Sequence, residues 1–180
     1  MPAVEVRTFI PAPPEAVWET IADLEAQPRW MSDVVELRVT SPQRQGVGVT
    51  MAITSRFLFK TIREVATVTT WDPPRRLAVR HSGDFSGVGI FTLEPAPGGT
   101  VFVWREEVRP PFGPLGLAVF PLLKPRLARL FARNSDRLRE IVLARTREAQ
   151  AEPKERPARS SRARARGKAE TSSPPPSPED

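Results

Sequence analysis

The feature that most constrains this fold is an apolar stripe in the last third of the chain. Between residues 123 and 142 the apolar side chains recur mostly at steps of three, four and seven, the spacing of one helix face. They are Leu123, Leu127, Leu130, Phe131, Leu138, Ile141 and Val142. A helix from Leu123 to Arg147 would be roughly 35 to 40 Å long, about the width of a small domain. The rest of the chain therefore has to supply an apolar surface that covers this stripe.

Two features interrupt this helix pattern. Pro121 and Pro125 each lack the N–H that an interior helical turn needs, which predicts a broken or kinked entry from Pro114 and a straight helix from about Arg126. Asn134 is a polar residue inside the apolar stripe. It either satisfies a nearby backbone group or contacts a ligand, since a buried amide without a partner is costly.

The segments before the stripe show the period-two alternation of half-buried strands. Residues 3–10 predict one strand, and six more follow between residues 34 and 108, with residues 56–70 read as a single strand. Helices are predicted at residues 14–22 and around 24–30. Consecutive strands joined by short turns favour an antiparallel sheet, and helices outside the strand run indicate an α+β architecture. One face of this sheet and the apolar stripe would bury each other.

Composition excludes several kinds of site. The chain has no cysteine and a single histidine, so disulfides, thiolate nucleophiles and zinc sites built from these residues are excluded, and we expect neither metal nor cofactor. Gly46-Val47-Gly48 is followed by a strand and lacks the further glycine of a dinucleotide site, so it favours a turn or bulge. The start of the chain carries no secretory signal pattern, so we expect a cytoplasmic protein.

Two ionisable residues fall on strand faces that we assign to the interior. His81 shares a face with Leu77 and Val79. Three roles are open for it: a hydrogen-bonded interior residue, a polar contact to a ligand, or a general base. Glu106 shares a face with Trp104. A buried carboxylate needs a partner, so Glu106 either pairs with a neighbouring arginine or serves as a functional acid.

Five segments, in order, resemble the START-like or Bet v 1-like superfamily and, within it, the polyketide cyclase/dehydrase and lipid-transport group. They are PAPPEAVWETIADLEAQPRWM at 11–31, GVG at 46–48, WDPPRRLAVRHSG at 71–83, GTVFVWREEV at 99–108 and the arginine- and leucine-rich final helix. The resemblance implies a helix-grip fold, in which a curved antiparallel sheet of about six to seven strands wraps the C-terminal helix around a hydrophobic cavity. The domain would cover residues 1–148, and the basic, proline-rich residues 149–180 would form a disordered tail.

The resemblance implies a protein that binds or carries a hydrophobic small molecule, such as a lipid, quinone or polyketide. Candidate ligand-binding residues are the polar His81, Glu106 and Asn134 and the apolar Trp30, Met51, Phe91, Trp104 and Phe131. The first alternative is a polyketide cyclase or dehydratase that uses His81 and Glu106 as acid and base. A separation of more than about 8 Å between these two side chains, with no water path between them, would count strongly against it.

The second alternative is an interaction protein that uses basic surfaces. Arg126, Arg129, Arg133 and Arg137 lie three or four residues apart on the final helix. They form either a solvated face or a weak contact for an anionic membrane or an acidic partner. The tail has no aromatic residues between its arginines, which counts against specific nucleic-acid binding. The sequence does not determine the oligomeric state.

Overall fold

The computed structural model describes residues 2–57, 59–84, 86–109 and 114–151. In chain order the elements are β1 (Ala3–Ile10), α1 (Pro14–Ala22), a 3-10 helix (Leu24–Arg29), β2 (Val34–Val39), β3 (Thr50–Phe57), β4 (Lys60–Asp72), β5 (Arg76–Gly83), β6 (Gly87–Ala96), β7 (Gly99–Val108) and α2 (Pro114–Ala151). The predicted order of one strand, two short helices, six strands and a long helix is therefore confirmed.

The seven strands form one antiparallel sheet in the order β1-β7-β6-β5-β4-β3-β2. Strands β2 to β7 follow one another as hairpins, while β1 pairs with β7 at the opposite edge from β2. Irregularities in register at Val34/Glu36 and at Val68/Thr70 bend the sheet. This curved sheet with a long C-terminal helix confirms the helix-grip fold.

One strand prediction was wrong. Residues 56–70 are not a single strand, because Phe57 pairs with Lys60 across a tight turn between β3 and β4. The sequence carries no signal for this turn, since it contains no glycine or proline there and β-forming residues flank it on both sides. By contrast, Gly46 and Gly48 have φ of 98° and 90°, the left-handed conformation that a turn uses and that favours glycine.

Helix α2 buries the predicted stripe. Phe131, Leu138 and Val142 are buried in the core, and Leu127, Leu130 and Ile141 pack against it. The helix contacts β1 and α1 as well as covering the cavity described below. It extends to Ala151, past the domain boundary predicted at residue 148, and the remainder of the predicted tail, residues 152–180, lies outside the described residues.

The break predicted at Pro121 and Pro125 is not seen, because α2 is helical through both residues. The two prolines are four residues apart and therefore lie on the same face of the helix. Both are exposed. The carbonyl groups that lose their helical partners on this face can bond to water instead, which allows the helix to continue.

Candidate functional site

A cavity of about 760 Å³ lies between the sheet and α2. Its wall is mainly apolar and is built from the inward-facing residues of strands β2 to β7 and from α2 residues between Gly116 and Phe131. Small-molecule sites typically enclose about 300–1,000 Å³ and are lined by apolar groups with a few placed polar ones. In size and lining, this cavity matches that description.

Six of the eight predicted ligand-binding residues line the cavity: Met51, His81, Phe91, Trp104, Glu106 and Phe131. The alternation of strand faces brings the five strand residues together, since Met51, His81, Phe91, Trp104 and Glu106 all point to the concave side. Trp30 and Asn134 do not line the cavity. Both are nevertheless buried, with exposed fractions of 1% and 0%.

An aromatic cluster joins α2 to the sheet beside the cavity. The ring of Phe131 on α2 stacks on that of Trp104 with centroids 4.3 Å apart and an interplanar angle of 14°. Phe91 contacts Trp104 edge to face at 5.3 Å. Trp30 packs behind both Phe91 and Trp104, at 5.8 and 5.9 Å. Trp30 therefore supports the cavity wall from outside it.

Asn134 is satisfied by the loop that follows the 3-10 helix. Its Oδ1 accepts hydrogen bonds from the backbone N–H of Ser32 at 3.0 Å and from the Ser32 hydroxyl at 2.8 Å. Its Nδ2 donates to Asp33 Oδ1 at 2.8 Å. Of the two interpretations drawn from the sequence, the contact with protein groups is the one that the structure displays.

The polar end of the cavity is a cluster of Glu64, His81 and Glu106, which we call the polar triad. His81 Nδ1 lies 3.2 Å from Glu64 Oε1, and His81 Nε2 lies 3.7 Å from Glu106 Oε1. Trp104 Nε1 donates to Glu106 Oε2 at 3.2 Å. The three triad side chains are 8–12% exposed, so water screens their charges weakly.

A glycine makes room for this cluster. Gly89 on β6 pairs with Val79 on one side and Glu106 on the other. A Cβ at this position would lie 2.9 Å from Glu106 Oε2 and 3.1 Å from His81 Nε2, both closer than ordinary contact. The missing side chain of Gly89 therefore allows His81 and Glu106 to approach across β6.

The arginine partner predicted for Glu106 is not found among the described residues, where its neighbours are Trp104 and His81. Strand parity gives the reason. Arg105 is adjacent in sequence, but it lies on the outer face of β7, where it pairs with Glu107 and Glu5. A neighbour in sequence along a strand is on the opposite face of the sheet.

Burial alters the proton affinity of these groups. Burial raises the pKa of Glu106 above the ordinary carboxyl value, against the opposing effects of His81 and of the Trp104 hydrogen bond. For His81, burial lowers the pKa, but the Glu64 hydrogen bond and the charges of Glu106 and Glu64 outweigh it, so the pKa is raised. Burial also raises the pKa of Asp33, despite its hydrogen bond with Asn134. His81 and Glu106 therefore both bind protons more tightly than in water.

Sequence reasoning missed Glu64 and Asp33, which also line the cavity. A signal for Glu64 was present, because it alternates with Ala66 and Val68, both fully buried on the concave face of β4. Because Arg63 and Glu64 are both charged, this part of the strand looks exposed in the sequence, and Glu64 was therefore not assigned to the concave face. Asp33 follows the 3-10 helix in a loop, where no periodicity assigns a direction to its side chain.

The four arginines predicted to form a basic stripe on α2 are all exposed: Arg126, Arg129, Arg133 and Arg137. Among residues 2–57, 59–84, 86–109 and 114–151, no three His, Asp or Glu side chains are arranged to hold a metal ion. Over the same ranges, no helix combines the length and the apolar character that a membrane crossing requires. The cytoplasmic location stays a prediction.

The fold and cavity define a class, the helix-grip proteins that enclose a cavity between a curved sheet and a C-terminal helix. A family model described as polyketide cyclase / dehydrase and lipid transport matches residues 1–142. The chain therefore belongs to this family, which confirms the resemblance drawn from its sequence. An uncharacterized protein of Mycobacterium tuberculosis is 31% identical over 129 residues, which cover 69% of this chain and 90% of that protein.

Solved structures show the same fold. A crystal structure of a Thermus thermophilus protein aligns with a TM-score of 0.68 and 25% identity, covering 81% of this chain and 99% of the other. The Zhui aromatase/cyclase from Streptomyces sp. R1128 aligns with a TM-score of 0.61 and 17% identity, covering 84% of this chain and 96% of the enzyme. At 17% identity the second similarity concerns the fold alone.

Proposed function

We propose that this protein binds a hydrophobic small molecule of the size of a lipid, quinone or polyketide in the cavity between the sheet and α2. The observation that carries the proposal is the cavity itself, about 760 Å³ with a mainly apolar wall. Core interiors are normally packed without voids of this size. An apolar body in this space would bury its surface against β3 to β7 and α2, with its polar end at the polar triad.

The most direct test is a cavity-filling variant on α2. Leu127 lines the cavity, whereas Leu122, on the same helix, is 72% exposed and does not. Leu127→Trp places an indole in the cavity, and Leu122→Trp is the matched control. We expect Leu127→Trp to weaken binding of Nile red, a neutral polycyclic dye, by at least about tenfold in a fluorescence titration.

Leu122→Trp should leave the affinity for the dye unchanged. Equal affinities of both variants and the native chain would place the dye elsewhere and contradict the proposal, as would a native chain that binds no dye at micromolar concentration. Native mass spectrometry of the freshly purified protein gives a second readout, the mass of any small molecule that co-purifies.

An enzymatic function in the same cavity is a second candidate, a cyclase or dehydratase acting on a polyketide-like substrate. One observation favours it: His81 Nε2 and Glu106 Oε1 are 3.7 Å apart. This distance is well below the separation of about 8 Å that would have counted against an acid and base acting together. In a dehydration, one of these groups would remove a proton beside a carbonyl, and the other would protonate the departing hydroxyl, which leaves as water.

The enzymatic candidate is tested with a β-hydroxy polyketide thioester and detection of water loss by mass spectrometry. Turnover should be lost in His81→Gln and Glu106→Gln while binding of the substrate persists. If the native chain binds this compound and returns it unchanged, the enzymatic function is rejected and the binding function stands.

A further inference from the structure

The ionisable residues inside the cavity carry an excess of negative charge. Among the described residues that line its interior, the ionisable ones are Asp33, Glu64, His81 and Glu106. Lys60 and Asp84 also line the cavity, but both are exposed and of opposite charge. The described interior wall therefore has three carboxyl groups and one imidazole, with no arginine.

The imidazole is already occupied by protein carboxylates. Both ring nitrogens of His81 face a carboxylate oxygen, Glu64 Oε1 at 3.2 Å and Glu106 Oε1 at 3.7 Å. A protonated His81 carries one positive charge between two glutamates. This positive charge already interacts with Glu64 and Glu106. The polar triad therefore offers an anionic ligand no further cation for an ion pair.

One carboxylate oxygen of each glutamate, in contrast, has no hydrogen-bond donor among the described residues. Glu64 Oε2 and Glu106 Oε1 are buried and have no hydrogen-bond partner in the described part of the chain. Glu106 as a whole is only 6% exposed. A buried carboxylate oxygen without a donor is destabilising, so a bound group that brings an N–H or O–H to this end of the cavity would relieve that cost.

We propose that the cavity selects hydrophobic molecules whose polar end donates a hydrogen bond, an alcohol, phenol or amine, and rejects the corresponding carboxylates. A carboxylate at the polar triad would be a further negative charge next to Glu64, Glu106 and Asp33, in surroundings that screen charge weakly. This inference rests on the proposed function, because it names the ligand class of the same cavity.

The test compares three fluorescent probes with one ring system: anthracene, anthracenemethanol and anthracenecarboxylate, titrated against the full chain at neutral pH. The ring supplies the same apolar body in all three, so differences in affinity report the polar end. We expect anthracenemethanol to bind most tightly and anthracenecarboxylate to bind at least about tenfold more weakly than the alcohol.

Glu106→Gln replaces one ionisable carboxyl group of the triad with a neutral amide and keeps the shape of the side chain. It should raise the affinity for anthracenecarboxylate relative to anthracenemethanol, and Glu64→Gln should act in the same direction. Glu107→Gln is the matched control, since Glu107 lies on the outer face of β7 and pairs with Arg105. It should leave the ratio of the two affinities unchanged.

The outcomes separate the two proposals. If none of the three probes binds, the proposed binding function itself fails. If anthracene binds but the carboxylate binds as tightly as the alcohol, the cavity exists as a binding site and the selectivity is rejected. Thermal melts check the folding of each variant, and the comparison of probes on the native chain decides the question even if Glu106→Gln does not fold.

Discussion

Glu106 illustrates how a single residue acquires its properties from its position on a strand. It is 6% exposed, it accepts a hydrogen bond from Trp104, and it faces His81 across the gap left by Gly89. Burial removes water from its carboxylate, so its ionised form is destabilised and its pKa is raised, although His81 and the Trp104 hydrogen bond act in the opposite direction. Because this pKa differs between the folded and unfolded chain, the ionisation of Glu106 is coupled to stability.

We predict that the native chain loses stability as the pH rises from about 4.5 towards and beyond 6.5, the ordinary values for Glu and His side chains. The raised pKa values of Glu106 and His81 mean that the folded chain holds more protons than the unfolded chain in this range, so stability falls with increasing pH. Thermal unfolding measured at several pH values checks this.

The same measurement on Glu106→Gln should give a shallower decline, because an amide does not titrate and the contribution of Glu106 is removed, while those of His81 and Asp33 remain. Glu107→Gln, on the opposite face of β7, should follow the native curve. A decline of equal steepness in all three proteins would show that Glu106 does not contribute to the pH dependence.

For single residues, the sequence predicted much of the cavity wall. Alternation along β5 and β7 placed His81 and Glu106 on the concave face, because strand parity is a local property. It did not predict that they meet, since their approach depends on Gly89 in the strand between them. It also did not predict the contact of His81 with Glu64, which depends on the register of β4 against β5.

Among the elements, α2 shows where local rules fall short. The spacing of apolar residues predicted the buried stripe, because periodicity survives in the folded state. The proline rule predicted a break that is absent, because both prolines lie on the exposed face. Which face a proline occupies depends on how the helix is rotated against the sheet, and packing rather than local sequence sets that rotation.

We predict that Asn134→Ala lowers the free energy of unfolding by about 2–4 kcal/mol. The substitution removes three part-buried hydrogen bonds to Ser32 and Asp33 and leaves a void at the fully buried position 134. Asp136→Ala, on the exposed side of the same helix, loses only a surface ion pair with Arg139 and should change stability by less than about 1 kcal/mol. Urea denaturation measures both.

Asn134→Ala also tests the ligand contact predicted from the sequence. Because Asn134 does not line the cavity, the folded variant should bind Nile red with native affinity. A loss of affinity in excess of the fraction unfolded would show that Asn134 acts on the ligand after all.

For the whole molecule, the sequence predicted the architecture but not the ligand. The order of strands and helices, together with the family resemblance, led to the helix-grip fold, and this fold hosts many functions. The cavity volume and the charges facing it come from side chains far apart in sequence, such as Asp33 and Glu106, which both line the cavity. The chemistry of a ligand is therefore inferred from the assembled wall.

We predict that a chain ending at Ala151 unfolds within about 2 °C of the full-length protein in a thermal melt. The family match covers residues 1–142, and α2 ends at Ala151, so the described packing is complete without residues 152–180. A markedly lower midpoint would show that the removed segment stabilises the domain.

Flotation of both chains with anionic and neutral vesicles addresses the interaction function. If the full chain floats with anionic vesicles and the shortened chain does as well, the removed segment is not needed for this contact. The exposed arginines of α2 would then be the next residues to substitute.

The contact of Asn134 with the loop at residues 32–33 has a consequence for how this protein can diverge. A rotation or shift of α2 by one residue would break three hydrogen bonds at once, so the alignment of the helix is set at this point. The helix residues that face the cavity, from Gly116 to Phe131, lie before it in sequence. If the cavity binds a small molecule as proposed, substitutions there would change which molecule fits while the helix keeps its alignment, so ligand preference and fold could evolve separately.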